Sequence, residues 1–178
     1  MNWRWQAGGL LHDVCFVDAD HGWAVGFYGL ILHTADGGHT WRQQVSGTGN
    51  DLWGVHFVDS NQGWAVGDGG TILHTVNGGN QWSRQTSGTI ANLYSVHFVD
   101  ADQGWATGIA GLILHTADGG HTWSPQTSET GGWLRSVQFV NADEGWAAGG
   151  SGAILRTTDG GVSSQMIMLP KGDRSLKR

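Results

Sequence analysis

The chain has 178 residues, with 31 Gly, 11 Trp, 2 Pro and 13% charged residues. Lys and Glu are scarce, while Trp, Val, Ile and Thr sit between Gly-rich turns, which excludes a helical protein and favours many short strands in one domain. The formal net charge is −6, and residues 1–170 carry 5 basic against 14 acidic side chains, so the body repels phosphate backbones and nucleic acid is excluded as its partner.

No apolar run approaches the roughly 18 residues of a membrane span. The lone Cys15 allows no internal disulfide. The start, Met1 to Trp5, lacks the apolar stretch of a secretion signal, so the expectation is a soluble chain that stays where it is made.

From the N-terminus, residues 3–9 (WRWQAGG) line up with residues 41–47 (WRQQVSG). Next comes a repeat: Gly-Trp-Ala recurs at Trp23, Trp64, Trp105 and Trp146, in steps of 41 residues. Asp-Gly-Gly recurs at the same spacing at Asp36, Asp118 and Asp159, with Asn77 in the second copy. Residues 30–41 and 112–123 are identical. Such self-similarity marks a repeat architecture.

In the second copy the predicted strands are residues 55–58, 64–67, 71–75 and a fourth starting at Trp82. Connections this short permit only antiparallel neighbours. Each unit is therefore a four-stranded meander, and units of this length build a β-propeller. The fold class is all-β: four blades, forming a four-bladed ring or half of a larger ring shared by two chains. The fourth copy carries Ser164 where Trp41, Trp82 and Trp123 stand. Residues 3–7 are therefore assigned as the fourth strand of the last blade, ahead of the rival 165–169, because they restore the Trp and remove an open sheet edge. The propeller spans residues 1–169, and residues 170–178 read as a basic, disordered tail.

The turn before each fourth strand, Thr34-Ala35-Asp36-Gly37-Gly38-His39-Thr40-Trp41 in the first copy, resembles the Asp-box of the sialidase-type (BNR) repeats. The box residues are Thr34, Asp36, Gly38 and Trp41; Thr75, Asn77, Gly79 and Trp82; Thr116, Asp118, Gly120 and Trp123; and Thr157, Asp159 and Gly161. Coupled to an upstream F-V-D-x-x-x-G-W-A-V-G, the chain is similar to photosystem II assembly and stability factor propellers over residues 3–161. That resemblance implies a non-catalytic propeller, usually of more than four blades. The box itself reads as structural: a short Asp accepts turn amides, the glycines take positive φ, and the Trp covers the hairpin.

Sialidase chemistry, as the resemblance implies it, needs an arginine cluster and a Tyr–Glu pair. The chain offers Tyr28, Tyr94, Glu129, Glu144 and scattered arginines, with no paired-carboxylate site, so no enzyme and no cofactor are expected. Asp18-Ala19-Asp20 and Asp100-Ala101-Asp102 read as polar turns lacking the later bidentate acid of a calcium loop. His33, His74 and His115, and likewise His56 and His97, share repeat positions and read as packed side chains, with no metal expected.

The copies differ most after strand two (Phe27-Tyr28, Asp68-Gly69, Ile109-Ala110, Gly150-Ser151) and at the start of strand one (His12, Trp53, Tyr94, Arg135). A meander places these on the propeller face opposite the boxes. His12, Phe27, Tyr28, Trp53, Asp68, Tyr94, Trp133 and Arg135 are therefore the candidate partner-binding residues. A protein is the expected partner. Carbohydrate is the alternative, with Tyr28, Trp53, Tyr94 and Trp133 as stacking platforms.

Overall fold

A computed structural model describes residues 10–162 and the backbone of a strand at Gln165–Met168. Among the described residues, sixteen strands form four antiparallel meanders. The first blade holds β1 (Leu11–Phe16), β2 (His21–Gly26), β3 (Ile31–Ala35) and β4 (Arg42–Gln44). The second holds β5 (Leu52–Phe57), β6 (Gly63–Gly67), β7 (Ile72–Thr75) and β8 (Ser83–Gln85). The third holds β9 (Leu93–Phe98), β10 (Gly104–Gly108), β11 (Ile113–Thr116) and β12 (Ser124–Gln126). The fourth holds β13 (Leu134–Phe139), β14 (Glu144–Gly149), β15 (Ala153–Thr158) and β16 (Gln165–Met168).

Strand one starts earlier than the sequence pattern predicts. In the second blade Leu52 pairs with Gly67 and a register shift separates it from Gly54. Such a bulge re-aims the start of the strand. The fourth strand starts one residue later, because Trp82 turns off the strand to lie edge-on against Phe57 at 5.8 Å. In the last blade, Arg156 to Ala153 of β15 pair with Gln165 to Met168 of β16. This corrects the assignment of residues 3–7 to that place. A hairpin to the next segment closes a much shorter loop than a return of the N-terminus across the whole domain. Residues 3–7 and the tail at 170–178 lie outside the described residues.

The core lies between blades. Trp23, Val25 and Ile31 of the first blade pack on Leu52, Val55, Phe57, Ala65, Leu73 and Trp82 of the second. The second and third blades repeat the arrangement, and so do the third and fourth. The centre of each layer is a stacked ring pair: Trp23 on Phe57 at 3.6 Å, Trp64 on Phe98 at 3.5 Å and Trp105 on Phe139 at 3.5 Å. The glycine before each of these tryptophans follows from the same packing, since a Cβ at Gly63 would overlap the Phe57 ring.

The Asp-box turns tie the layers together. Thr34 Oγ1 donates to Asp36 Oδ1 at 2.8 Å and accepts from Gly38 N at 2.9 Å. The Asp36 carboxylate also accepts from Thr40 N at 2.8 Å and Thr40 Oγ1 at 2.6 Å. Thr116, Asp118, Gly120 and Thr122 reproduce this network. Thr75, Asn77 and Gly79, and Thr157, Asp159 and Gly161, keep its Thr-centred part. The Thr40 and Thr122 donors hold the Asp36 and Asp118 carboxyls down at about 2. The turn carbonyls then reach across the blade boundary. Gly78 O accepts from Trp23 Nε1 at 3.2 Å and Gln44 Nε2 at 2.7 Å. Gln44 Oε1 in turn accepts from Trp82 Nε1 at 3.2 Å. Gly79, at φ 82°, must be glycine twice over, because a side chain there would also collide with Gln44.

Candidate functional site

The turns between strands two and three share one backbone form, and its middle residue is left-handed in every copy: Tyr28 at φ 57°, Gly69 at 61°, Ala110 at 56° and Ser151 at 59°. Each turn is joined to the lead-in of its own blade. Phe27 N donates to Leu10 O at 3.0 Å, Asp68 N to Asp51 O at 2.9 Å, Ile109 N to Asn92 O at 3.1 Å and Gly150 N to Trp133 O at 2.7 Å. The first three are also joined to the next blade, through Tyr28 N to Asp51 Oδ1 at 2.8 Å, Gly69 N to Asn92 Oδ1 at 3.1 Å and Gly111 N to Gly132 O at 2.6 Å. The rim is therefore braced by backbone geometry, and its side chains are left to face outward.

Those side chains form one band. Tyr28 lies 6.1 Å from Phe27, which lies 4.4 Å from His12. The His12 ring is stacked on Trp53 at 3.9 Å with 9° between planes. Its Nδ1 donates to Leu52 O at 2.9 Å, which fixes the ring. Trp53 meets Tyr94 edge-on at 5.9 Å, and Tyr94 lies 6.4 Å from Trp133. Arg135 closes the band, its guanidinium 5.5 Å from the Tyr94 centroid and 5.2 Å from that of Trp133. Cation–π contacts of this kind hold a long side chain flat against the rings. Asp68 contributes differently: Oδ1 accepts from Trp53 Nε1 at 2.7 Å and locks the indole.

All eight residues singled out from the sequence thus fall in one contiguous stripe across the four blades. Exposure rises at its ends, to 82% for Tyr28 and 48% for Trp133. Sequence reasoning missed Asp51 and Asn92, the braces beneath the stripe. They share a repeat position, and a short oxygen-bearing side chain at both was the available signal. The same position in the fourth copy is Trp133, whose carbonyl accepts from Gly150 N but whose side chain stands out as a ring instead.

The other candidates are absorbed by packing. His33, His74 and His115 stack on Trp23, Trp64 and Trp105 at 4.7, 4.8 and 5.0 Å, and burial lowers the pKa of each. His56 and His97 lie 4.6 Å apart; burial, with His56 nearby, pushes His97 down to about 4. Asp18 and Asp100 accept amides of their own turns, at 2.7 to 2.8 Å. Among the described residues no group of three or more His, Cys, Asp or Glu is gathered as metal ligands, and no helix is long and apolar enough to cross a membrane.

Comparison with known proteins agrees with this architecture. Among solved structures, "YCF48 bound to D1 peptide" is 20% identical with a TM-score of 0.62, over 88% of this chain and 80% of that one. YCF48 from Cyanidioschyzon merolae is 24% identical with a TM-score of 0.71, over 88% of this chain and 56% of that one. An ancestral GH74 enzyme is 19% identical with a TM-score of 0.73, but this chain spans only 25% of it. These likenesses show the propeller fold. No curated protein matches the sequence. The family profile of the photosynthesis system II assembly factor YCF48 matches residues 4–89 and 86–172, together nearly the whole chain. The chain belongs to that family.

Proposed function

We propose that this protein is a non-catalytic binding module whose aromatic band receives an extended segment of a partner protein. The observation that carries the reading is the continuous ring path from Tyr28 through Phe27, His12, Trp53 and Tyr94 to Trp133, fixed by Asp68 beneath Trp53 and ended by Arg135. Rigid aromatic and arginine side chains dominate binding energy at protein interfaces because they lose little entropy on contact. Asp51 lies beside Tyr28 at one end and Arg135 at the other, so a segment with a basic and an acidic end binds in one direction. A relative solved with a D1 peptide supports a peptide as the ligand class. Sugar stacking needs open ring faces, and His12 already covers one face of Trp53, which favours protein over carbohydrate.

The test is calorimetric titration with a D1 peptide, joined by peptides selected from a displayed library, against wild-type protein and Trp53→Ala. Truncating a central anchor is expected to weaken binding by about thirtyfold, corresponding to about 2 kcal/mol. Peptides that bind Trp53→Ala as well as wild type, or binding to a glycan array that Trp53→Ala abolishes, overturn the proposal.

A further inference from the structure

Every junction between consecutive blades is built from the same parts. A Gly-Trp-Ala tryptophan of one blade stacks on the strand-one phenylalanine of the next, at 3.5 to 3.6 Å in all three junctions. Its indole N–H donates to an Asp-box carbonyl of that next blade: Trp23 to Gly78 O at 3.2 Å, Trp64 to Gly119 O at 3.2 Å and Trp105 to Gly160 O at 3.1 Å. Strand one of each blade packs on strand one of the next, β1 on β5, β5 on β9 and β9 on β13, and no comparable packing joins β13 back to β1 among the described residues.

Half a junction is therefore left at each end. On the first blade Leu11, Val14 and Phe16 are 38%, 56% and 45% exposed. Their counterparts in the other blades (Leu52, Leu93 and Leu134; Val55, Val96 and Val137; Phe57, Phe98 and Phe139) are all at or below 6%. Phe16 is already set for a partner. Trp41 holds it edge-on at 6.0 Å and 89°, just as Trp82 holds Phe57 at 5.8 Å and 88°. On the fourth blade Trp146 is only half-buried, where Trp23, Trp64 and Trp105 are fully buried, and Ala148 and Ile154 beside it are exposed. Trp146 has no phenylalanine stacked on it among the described residues; it carries the Arg156 guanidinium at 5.8 Å, on the side where His33, His74 and His115 cover the other tryptophans.

We propose that these two open faces recognise each other in a second copy of this chain. Trp146 of one copy stacks on Phe16 of the other and donates to its Gly37 O, the counterpart of Gly78, Gly119 and Gly160 O. The reciprocal contact closes one ring of eight blades. The occupant is a second copy because the missing half of each junction is what the other end of this chain carries, in the residue types and order of the three junctions already formed. A head-to-tail contact of this kind either closes or grows into a filament. Two copies of the four described blades give eight, within the usual range of propellers of about four to eight, whereas three copies exceed it.

Light scattering of the 178-residue chain is expected to give twice its mass of 19.0 kDa. Phe16→Asp alone, and Trp146→Asp alone, are each expected to give a single-chain mass, since either change damages both contacts of the ring. Mixing the two variants is expected to restore a two-chain species, because Trp146 of the first and Phe16 of the second are both intact. Far-UV circular dichroism of each variant verifies that it is folded, and Val14→Glu serves as a further blade-one variant expected to give a single chain. A single-chain mass for the wild type overturns the proposal. So do masses above two chains, two-chain masses for the single variants, or a mixture that stays monomeric, which would mean a symmetric rather than a head-to-tail contact.

Discussion

Phe16 and Phe98 occupy the same repeat position, but their surroundings differ, and alanine at each is expected to cost different amounts. Phe98 is 2% exposed, stacked on Trp64 at 3.5 Å and touched edge-on by Trp123 at 5.9 Å. Removing a buried phenylalanine from such a layer costs about 4 kcal/mol, the lost transfer energy plus a cavity that flanking strands cannot close. Phe16 is 45% exposed and, among the described residues, its one aromatic contact is edge-on to Trp41 at 6.0 Å. About half of a full burial of roughly 2 kcal/mol is at stake there, plus about 0.5 kcal/mol for one aromatic contact, giving about 1.5 kcal/mol. The expected difference is therefore about 2.5 kcal/mol. Urea denaturation followed by tryptophan fluorescence measures it, in a Trp146→Asp background so that self-association does not cover Phe16. Equal losses for Phe16→Ala and Phe98→Ala in that background would refute the reasoning, because Phe16 would then have to be buried within a single chain.

Two further predictions follow from local geometry. Asp36 and Asp118 have carboxyls held at about 2 against an ordinary 3.8, chiefly by donation from Thr40 and Thr122. A depressed carboxylate pKa contributes stability that is present above the ordinary value and is lost as pH falls from about 4 through about 2. The urea midpoint is expected to fall over that window, and to fall less in an Asp36→Asn, Asp118→Asn double variant, which copies Asn77; identical slopes would remove the boxes as its origin. Ala110 sits at φ 56°, in the left-handed region where a Cβ is strained. Ala110→Gly is expected to stabilise the fold by about 0.5 to 1 kcal/mol in the same assay, after the extra freedom of unfolded glycine is counted; a destabilised variant contradicts the strain.

The repeat made most of the fold legible because each copy states the same pattern at the same spacing. A Gly-Trp-Ala, a Thr-x-Asp/Asn-Gly-Gly and a strand-one Phe are enough to define a blade. The partner of each tryptophan was not legible. That Trp23 reaches Phe57 and Gly78 O, 34 and 55 residues away, depends on how blades stack rather than on how one blade folds. The last strand was misassigned for a related reason. Sequence matching rewarded the tryptophans near the N-terminus, whereas residues 165–168 form the strand as the direct continuation of a hairpin, without any box tryptophan. On the rim, the eight residues singled out for variability and aromatic content lie in one stripe, but their direct stacking needed the blade-to-blade offset. The braces Asp51 and Asn92 escaped because backbone amides of a neighbouring blade, invisible in sequence, are what they serve.

The division between fixed and variable positions has a mechanical cause. A Gly-Trp-Ala tryptophan must fit a phenylalanine and a carbonyl of the next blade at once, so any replacement damages two blades. His12, Trp53, Tyr94 and Arg135 also share one repeat position, but they meet chiefly each other and the turn beside them, on top of a backbone braced independently of their identity. Replacing one changes the surface chemistry of the band while leaving the ring stacks below intact. A surface assembled this way can acquire an imidazole, an indole, a phenol and a guanidinium in successive copies of one unit. The four equivalent positions thereby become a stripe with two distinguishable ends. Under the proposed function, that asymmetry gives a bound chain its direction and places specificity on the end residues Tyr28 and Arg135 rather than on the stacked centre.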